Sequence, residues 1–357
     1  MRKPYLGEDL IFLISQPRSG STLLQRVLYG HPEIQTSAET WLMLHPLYAS
    51  KPHRLTAEYD AKNALKGVND FLANYTSGPG IYDDAIREWA QVIYGDALRC
   101  SGKKYFLDKT PRYFFIIPDL YRLFPKAKFI FLIRNPLAVL SSLLSTYVKE
   151  EWTVLSYFRH DLLLAPGLML EGIDLMGEDA ITVRYEEFVS EPGRNTESLC
   201  NRLGVPFHME MLDYSRTEQP RGDLNDPVGV HLHSRPSTAS LEKWKRLADS
   251  PQASHFAEGY LNLLGRNVVE SLGYDFDELR SAISGAGGKN EAGNLFPLHL
   301  ALKPKDEWNY REWMTAERYK KIRAKGRPRG ELSAIKQGFL RGMRLLKHQL
   351  DKGAAVQ

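Results

Sequence analysis

A chain of 357 residues, 43% hydrophobic and 25% charged, has ample material for a packed core and is neither disordered nor fibrous by composition. Its net charge of +4 is too small for long-range attraction to nucleic acid, and two cysteines, Cys100 and Cys200, do not make a disulfide framework. The opening residues lack the apolar stretch of a signal peptide and no segment approaches a transmembrane span, so a cytoplasmic protein is expected.

The first predicted element is a strand over residues 10–15, in the apolar run that begins Ile11-Phe-Leu-Ile. It feeds the small-residue loop Gln16-Pro-Arg-Ser-Gly-Ser-Thr and a helix over 21–30. Such a loop turns backbone N–H groups inward while the helix points the positive end of its dipole at them, which makes an anion cradle. Arg18 adds a full charge at the lip of the residues Ser19, Gly20, Ser21 and Thr22. The spacing is not that of a Walker A loop, since no lysine follows Gly20. The alternative is a plain strand-to-helix turn in which Ser19, Ser21 or Thr22 caps the helix.

A mostly helical insertion follows over about 55–100. It carries Tyr59, Phe71, Tyr75, Tyr82 and Trp89, with a break at Gly78-Pro79-Gly80. Next come a strand at 105–108, a helix at 113–123, a strand at 128–133, helices over 136–176, a strand at 180–185 and helices to about 205. This alternation predicts an α/β fold: a three-layer, P-loop-like parallel sheet with helices on both faces. At the end of the 128–133 strand stands Arg134-Asn-Pro. Pro136 suits a first helical turn, and Ser142 falls about two turns into that helix. Open parallel sheets bind ligands at that edge, where a guanidinium can grip a phosphate bidentately and a hydroxyl can complete the contact. Two such sites on one sheet predict a nucleotide with two separated anionic groups.

Residues 208–240, rich in Pro, Gly and His, are expected to loop over the site. The stretch from Ser284 to Gly293 breaks the chain again. The predicted organisation is therefore a domain over 1–283, a flexible linker over 284–302 and a basic, mainly helical extension over 303–357. From Lys303 to Lys352 there are 15 Lys/Arg against 6 Asp/Glu. Lys336, Arg341 and Arg344 there flank Phe339, Leu340 and Met343, which fits a solvated helix packed on its own domain or on a second subunit, as in a homodimer. Attraction to an acidic acceptor, a carrier domain or a membrane surface is the alternative.

The segment Gln16 to Leu24 resembles the 5′-phosphosulfate loop of sulfotransferases that use 3′-phosphoadenosine 5′-phosphosulfate (PAPS). Arg134 to Ser142 resembles their 3′-phosphate motif, an arginine followed eight residues later by a serine. Further similarity lies in Val183–Val189, Leu199–Phe207 and Ser240–Lys245, so the likeness runs over roughly residues 8–275.

The resemblance implies in-line displacement at sulfur by an acceptor hydroxyl, which needs positioning and stabilisation of spread-out charge more than covalent help. It places Arg18 and Lys109, in Leu107-Asp-Lys-Thr-Pro, beside the leaving group; a solvated loop lysine is the alternative for Lys109. The cytosolic branch uses a histidine after its Lys-Thr pair, but Pro111 stands there. The tyrosylprotein branch uses a glutamate downstream of the first loop, and His31-Pro-Glu-Ile-Gln-Thr-Ser-Ala-Glu-Thr resembles that segment, making Glu39 the candidate base. A structural ion pair of Glu39 with a neighbouring cation is the other reading, and a histidine among His31, His45, His53, His231 and His233 is the second candidate base.

His31 closes the first helix, where it can cap carbonyls or favour the helix dipole. His231 and His233 share one face of an extended segment, but no third ligand is evident and the family reaction needs no metal. The resemblance also brings Tyr185, Lys243 and Trp244 to the nucleotide, with a place in the core as the equal alternative for Trp244, and allows the aromatic insertion to be either core or a wall of the acceptor pocket. Trp41 stands where the tyrosylprotein branch carries an arginine for acidic peptides, which favours a small-molecule or carbohydrate hydroxyl over a tyrosyl peptide. A P-loop-type kinase and a non-catalytic nucleotide-binding scaffold are the rival classes. The sequence leaves acceptor identity and oligomeric state open.

Overall fold

The computed structural model describes residues 4–222, 234–284 and 295–324. The chain divides into two compact units, Met1–Val139 with Asp161–Glu242 and Leu140–His160 with Lys243–Gln357.

The first unit is built on five parallel strands. In chain order they are β1 (Leu10–Ser15), β2 (Ile34–Thr36), β3 (Tyr105–Asp108), β4 (Lys128–Ile133) and β5 (Ala180–Arg184), arranged in space as β2-β3-β1-β4-β5. Parallel pairing requires crossovers, supplied here by α1 (Ser21–Tyr29), α2 (Leu44–Tyr48), α3 (Ala61–Tyr75), α4 (Gly80–Ser101), α5 (Ile117–Leu123), α6 (Pro136–Leu143), α7 (Arg159–Leu163) and α8 (Ala165–Met176), with α9 (Tyr185–Ser190) and α10 (Pro192–Leu203) after β5.

Both sheet faces are covered, so every residue of β1 is buried. Ile11, Leu13, Ile130, Leu132 and Val183 pack with Leu24, Val27 and Leu28 of α1 and Leu199 and Leu203 of α10. On the opposite pleat, Phe12 stacks on Phe129 at 5.4 Å and meets Tyr113 edge-on at 6.1 Å. Gly172 of α8 fits against Ile117 and Phe131, where a Cβ would come within 2.6 Å of Ile117. This is the predicted three-layer α/β fold. β2 was not predicted; at three residues it is too short to show a period, and it pairs only with β3.

Of the aromatic residues singled out in the insertion, Tyr82 is half-buried and the others are exposed, so the expected buried stripe is not there. Tyr59, Phe71 and Tyr75 are 59%, 58% and 79% exposed, and Phe71 stacks on Tyr75 at 5.8 Å. Among the described residues, no helix is long and apolar enough to cross a membrane.

The second unit packs α11 (Pro251–Leu264) against α12 (Arg266–Ser271), α13 (Phe276–Ile283) and α14 (Leu298–Leu302). Gln252 secures it by accepting from Phe296 N at 2.7 Å and donating to Phe296 O at 2.9 Å. Trp152 meets Phe256 edge-on and donates its indole N–H to the Tyr319 hydroxyl of α15 (Tyr310–Ala324) at 3.1 Å. Residues 285–294 of the expected linker, and the basic helix expected around Lys336–Leu346, lie outside the described residues.

His31 is a structural residue. It is fully buried, its Nε2 donates to Pro206 O at 2.9 Å, and its Nδ1 accepts from Glu33 N at 3.0 Å, an arrangement that fixes the neutral Nε2–H tautomer. Burial holds its pKa below the ordinary value, and neighbouring His208 pushes the same way against the Pro206 hydrogen bond. A depressed folded-state pKa gives stability that is complete above the unfolded value, about 6.5, and is lost as pH falls through the folded one. Denaturant midpoints should therefore fall as pH drops from 7.5 to 5, and His31→Gln should flatten that slope; an equal slope in the variant would contradict the assignment.

Candidate active site

The loop after β1 ends up as the sequence predicts, with one difference. Arg18 and Gly20 both adopt left-handed backbone conformations, φ 70° and 92°, which fold the five residues tightly between strand and helix. Gln16 anchors the loop by donating to Asp161 O at 2.9 Å, and Ser19 N donates back to Gln16 O at 3.3 Å. No side chain caps α1; Gly20 occupies the cap position, which corrects the reading of Ser19, Ser21 or Thr22 as a cap. The first N–H groups of a nine-residue helix are thus left for another acceptor. The Ser19 hydroxyl is likewise buried with no hydrogen-bond partner among the described residues. An anion would satisfy both.

Gly20 is required twice over. Besides its positive φ, a Cβ there would lie 2.4 Å from the Tyr185 ring. Gly20→Ala should destabilise the protein by about 2–3 kcal/mol, read from the denaturation midpoint. An unchanged midpoint would show that the ring is free to move aside.

Arg134 follows β4 and closes the same edge. Its guanidinium lies over the Tyr185 ring, 4.1 Å from Cζ to centroid, and Nη1 donates to Arg18 O at 2.8 Å. Tyr185 is therefore held between Gly20 and Arg134, with its hydroxyl 2.7 Å from Ser240 Oγ. Asn135 caps α6 by accepting from Leu137 N at 2.9 Å, while its own N–H donates to Glu186 Oε1 at 2.9 Å. The two anion-binding segments expected from the sequence thus touch through Arg134.

Across β1, the end of β3 carries Lys109, which is 1% exposed and so not a solvated loop lysine. Its Nζ is 3.0 Å from Glu39 Oε1, and the other carboxylate oxygen accepts the Trp41 indole N–H at 3.2 Å. Glu39 is held on both sides yet keeps 22% of its side chain exposed. A carboxylate offers about four lone-pair positions, so a hydroxyl can still approach it. Over Trp41 lies the Arg112 guanidinium, 5.8 Å from the ring centroid, which also grips Asp161 through Nε at 3.1 Å and Nη2 at 2.9 Å. Burial pushes the Asp161 carboxyl up, Arg112 pulls it back, and the Glu39 charge adds to the rise. Arg221, in the described part of segment 208–240, reaches this place too, its O accepting Ala38 N at 2.9 Å.

Ser142 stands in the part of α6 after Val139 that belongs to the second unit, as do Lys243 and Trp244 in a 3₁₀ helix over Lys243–Asp249, where Trp244 is 8% exposed. His231 and His233 lie outside the described residues. Among the described residues no group of three or more His, Cys, Asp or Glu could hold a metal ion. Sequence reasoning missed Trp41 and Arg112 as partners of the pair Glu39 and Asp161. It quoted Asp108 without giving it a role.

The model of the sulfotransferase family matches residues 9–209, and the chain belongs to that family. It is 36% identical over 287 residues to nodulation protein NoeE of Sinorhizobium fredii, covering 74% of this chain and 66% of that protein, so it spans just under two thirds of this relative. It is 25% identical over 246 residues to a putative protein-tyrosine sulfotransferase of Caenorhabditis briggsae, covering 66% of this chain and 81% of that one. Among solved structures it is similar to the sulfotransferase domain from the curacin biosynthetic pathway, with 24% identity, a TM-score of 0.45, and coverage of 69% of this chain and 92% of that one.

Proposed function

We propose that this sulfotransferase takes the sulfuryl group of PAPS to a hydroxyl of a small-molecule or carbohydrate acceptor and releases adenosine 3′,5′-bisphosphate. One observation carries the donor assignment: Arg134 lies against the loop after β1, so two anion-recognition segments share one sheet edge. The buried Ser19 hydroxyl, without a hydrogen-bond partner among the described residues, and the start of α1, which no side chain caps, fit a phosphate-like group there.

PAPS, when bound, supplies an activated sulfuryl group with a nucleotide phosphate as leaving group. The helix-terminal N–H groups and Arg18 hold the 5′ end, and Arg134 holds the 3′-phosphate. Lys109 stabilises negative charge as it builds on the bridging oxygen. Glu39 accepts the proton of the attacking hydroxyl. Lys109 orients Glu39 before reaction, so the pair is both structural and chemical.

Transfer to a tyrosyl peptide is the second reading, favoured by the name of the Caenorhabditis briggsae relative. Against it, Trp41 spends its polar atom on Glu39 and Arg112 spends its fork on Asp161, which leaves no cation dedicated to an acidic peptide at these two positions. Membership of the sulfotransferase family sets the kinase reading aside. Screening hydroxylated metabolites, oligosaccharides and acidic tyrosyl peptides with labelled PAPS in the presence of EDTA tests the proposal. It expects label on a small-molecule or carbohydrate product without added metal. Label on peptides alone would favour the second reading, and bisphosphate binding with no single-turnover transfer to any acceptor would make the protein a scaffold.

A further inference from the structure

Asp108, the last residue of β3, is 1% exposed, and no step proposed above uses it. Its carboxylate accepts four hydroxyls. Tyr94, Thr40 and Tyr113 donate to Oδ2 at 2.6, 2.8 and 2.9 Å, and Thr110 donates to Oδ1 at 3.1 Å. Burial pushes this carboxyl up while the four hydroxyls oppose the rise, and burial beside it drives the Tyr94 and Tyr113 phenols well above their ordinary value.

Three of those hydroxyls accept in turn from three successive backbone N–H groups. Trp41 N donates to Thr110 Oγ1 at 3.2 Å, Leu42 N to Thr40 Oγ1 at 3.1 Å, and Met43 N to Tyr113 Oη at 3.0 Å. In this arrangement Trp41 stands at φ 53°, an unfavourable conformation for a bulky residue. A hydroxyl that donates to a carboxylate becomes a better acceptor, so the relay strengthens itself. Its ends are the two segments of the chemistry: Thr40 follows Glu39, and Asp108 precedes Lys109.

We propose that Asp108 is a positioning residue: through its hydroxyl relay it ties the segment 39–43 to the end of β3 and so fixes Glu39 against Lys109. This rests on the reading of Glu39 as base and Lys109 as leaving-group cation. Displacing a reacting group by about 1 Å can cost roughly 100-fold in rate.

Asp108→Asn is the direct variant, and Thr40→Val and Thr40→Ser serve should it fail to fold. Thr40→Val keeps the volume and removes the hydroxyl that joins Leu42 N to Asp108. It should lower kcat about 10-fold or more with acceptor KM and bisphosphate affinity within about two-fold. Thr40→Ser should stay within about two-fold of wild type. In a Glu39→Gln background, Thr40→Val should change the residual single-turnover rate by less than about two-fold, because the effect passes through Glu39. A wild-type kcat in Thr40→Val, equal losses in Thr40→Val and Thr40→Ser, or additive losses in the double variant would each overturn the proposal. Failure of the underlying reading looks different: Glu39→Gln would itself turn over at the wild-type rate, or adenosine 3′,5′-bisphosphate would not bind at all.

Discussion

Glu39→Gln should slow acceptor-dependent transfer by about 1,000-fold or more while adenosine 3′,5′-bisphosphate still binds within about two-fold of wild type. The amide preserves shape and can still accept one of the bonds from Lys109 and Trp41, but it cannot take a proton. It also leaves Lys109, 1% exposed, without a counter-charge. Breaking a buried pair in this way costs about 3–5 kcal/mol, so the variant should melt earlier as well. Rates are therefore compared at a temperature where both proteins are folded. Transfer within about three-fold of wild type would remove Glu39 from the chemistry and leave it a structural partner of Lys109.

Loss of Arg134 acts on the donor instead. Arg134→Ala removes a fork matched to phosphate and the bond that joins β4's end to the Arg18 carbonyl. Bisphosphate affinity should fall about 100-fold or more, equivalent to about 2.7 kcal/mol. Arg134→Lys should recover only part of this, because an ammonium keeps the charge but neither the bidentate grip nor the flat face against Tyr185. The informative comparison is with adenosine 5′-phosphate, which has no 3′-phosphate and should lose far less on the same substitution. Equal losses for the two nucleotides would mean that Arg134 supports the loop and does not read the 3′-phosphate.

Much of this architecture was legible because parallel strands buried on both faces read as continuous apolar runs. β1, β3, β4 and β5 fall within a residue of their predicted places. The meeting of Arg18, Gly20 and Arg134 at one sheet edge was legible because they stand directly after strand ends, where open parallel sheets gather their loops. Tyr185 was singled out through resemblance, and in the structure its ring fills the space that Gly20 leaves.

What escaped is non-local. Asp108 lies 68 residues from Thr40 and 14 from Tyr94, and no local period connects a carboxylate to hydroxyls arriving from three other segments. Arg112 and Asp161 are 49 residues apart and meet only once α7 is packed. The aromatic spacing of the insertion resembles a buried stripe, yet Tyr59, Phe71 and Tyr75 face solvent. Periodicity shows that residues share a helix face but not whether anything covers it.

In the proposed function one sheet edge grips a nucleotide carrying phosphates at both its 3′ and 5′ positions. Calorimetric titration of the whole chain with adenosine 3′,5′-bisphosphate in EDTA tests it most directly. One-to-one binding is expected with Kd at or below about 10 μM, near −7 kcal/mol, and markedly weaker binding of ATP with magnesium. Absence of measurable heat with the bisphosphate, or tighter binding of magnesium-ATP, would contradict it.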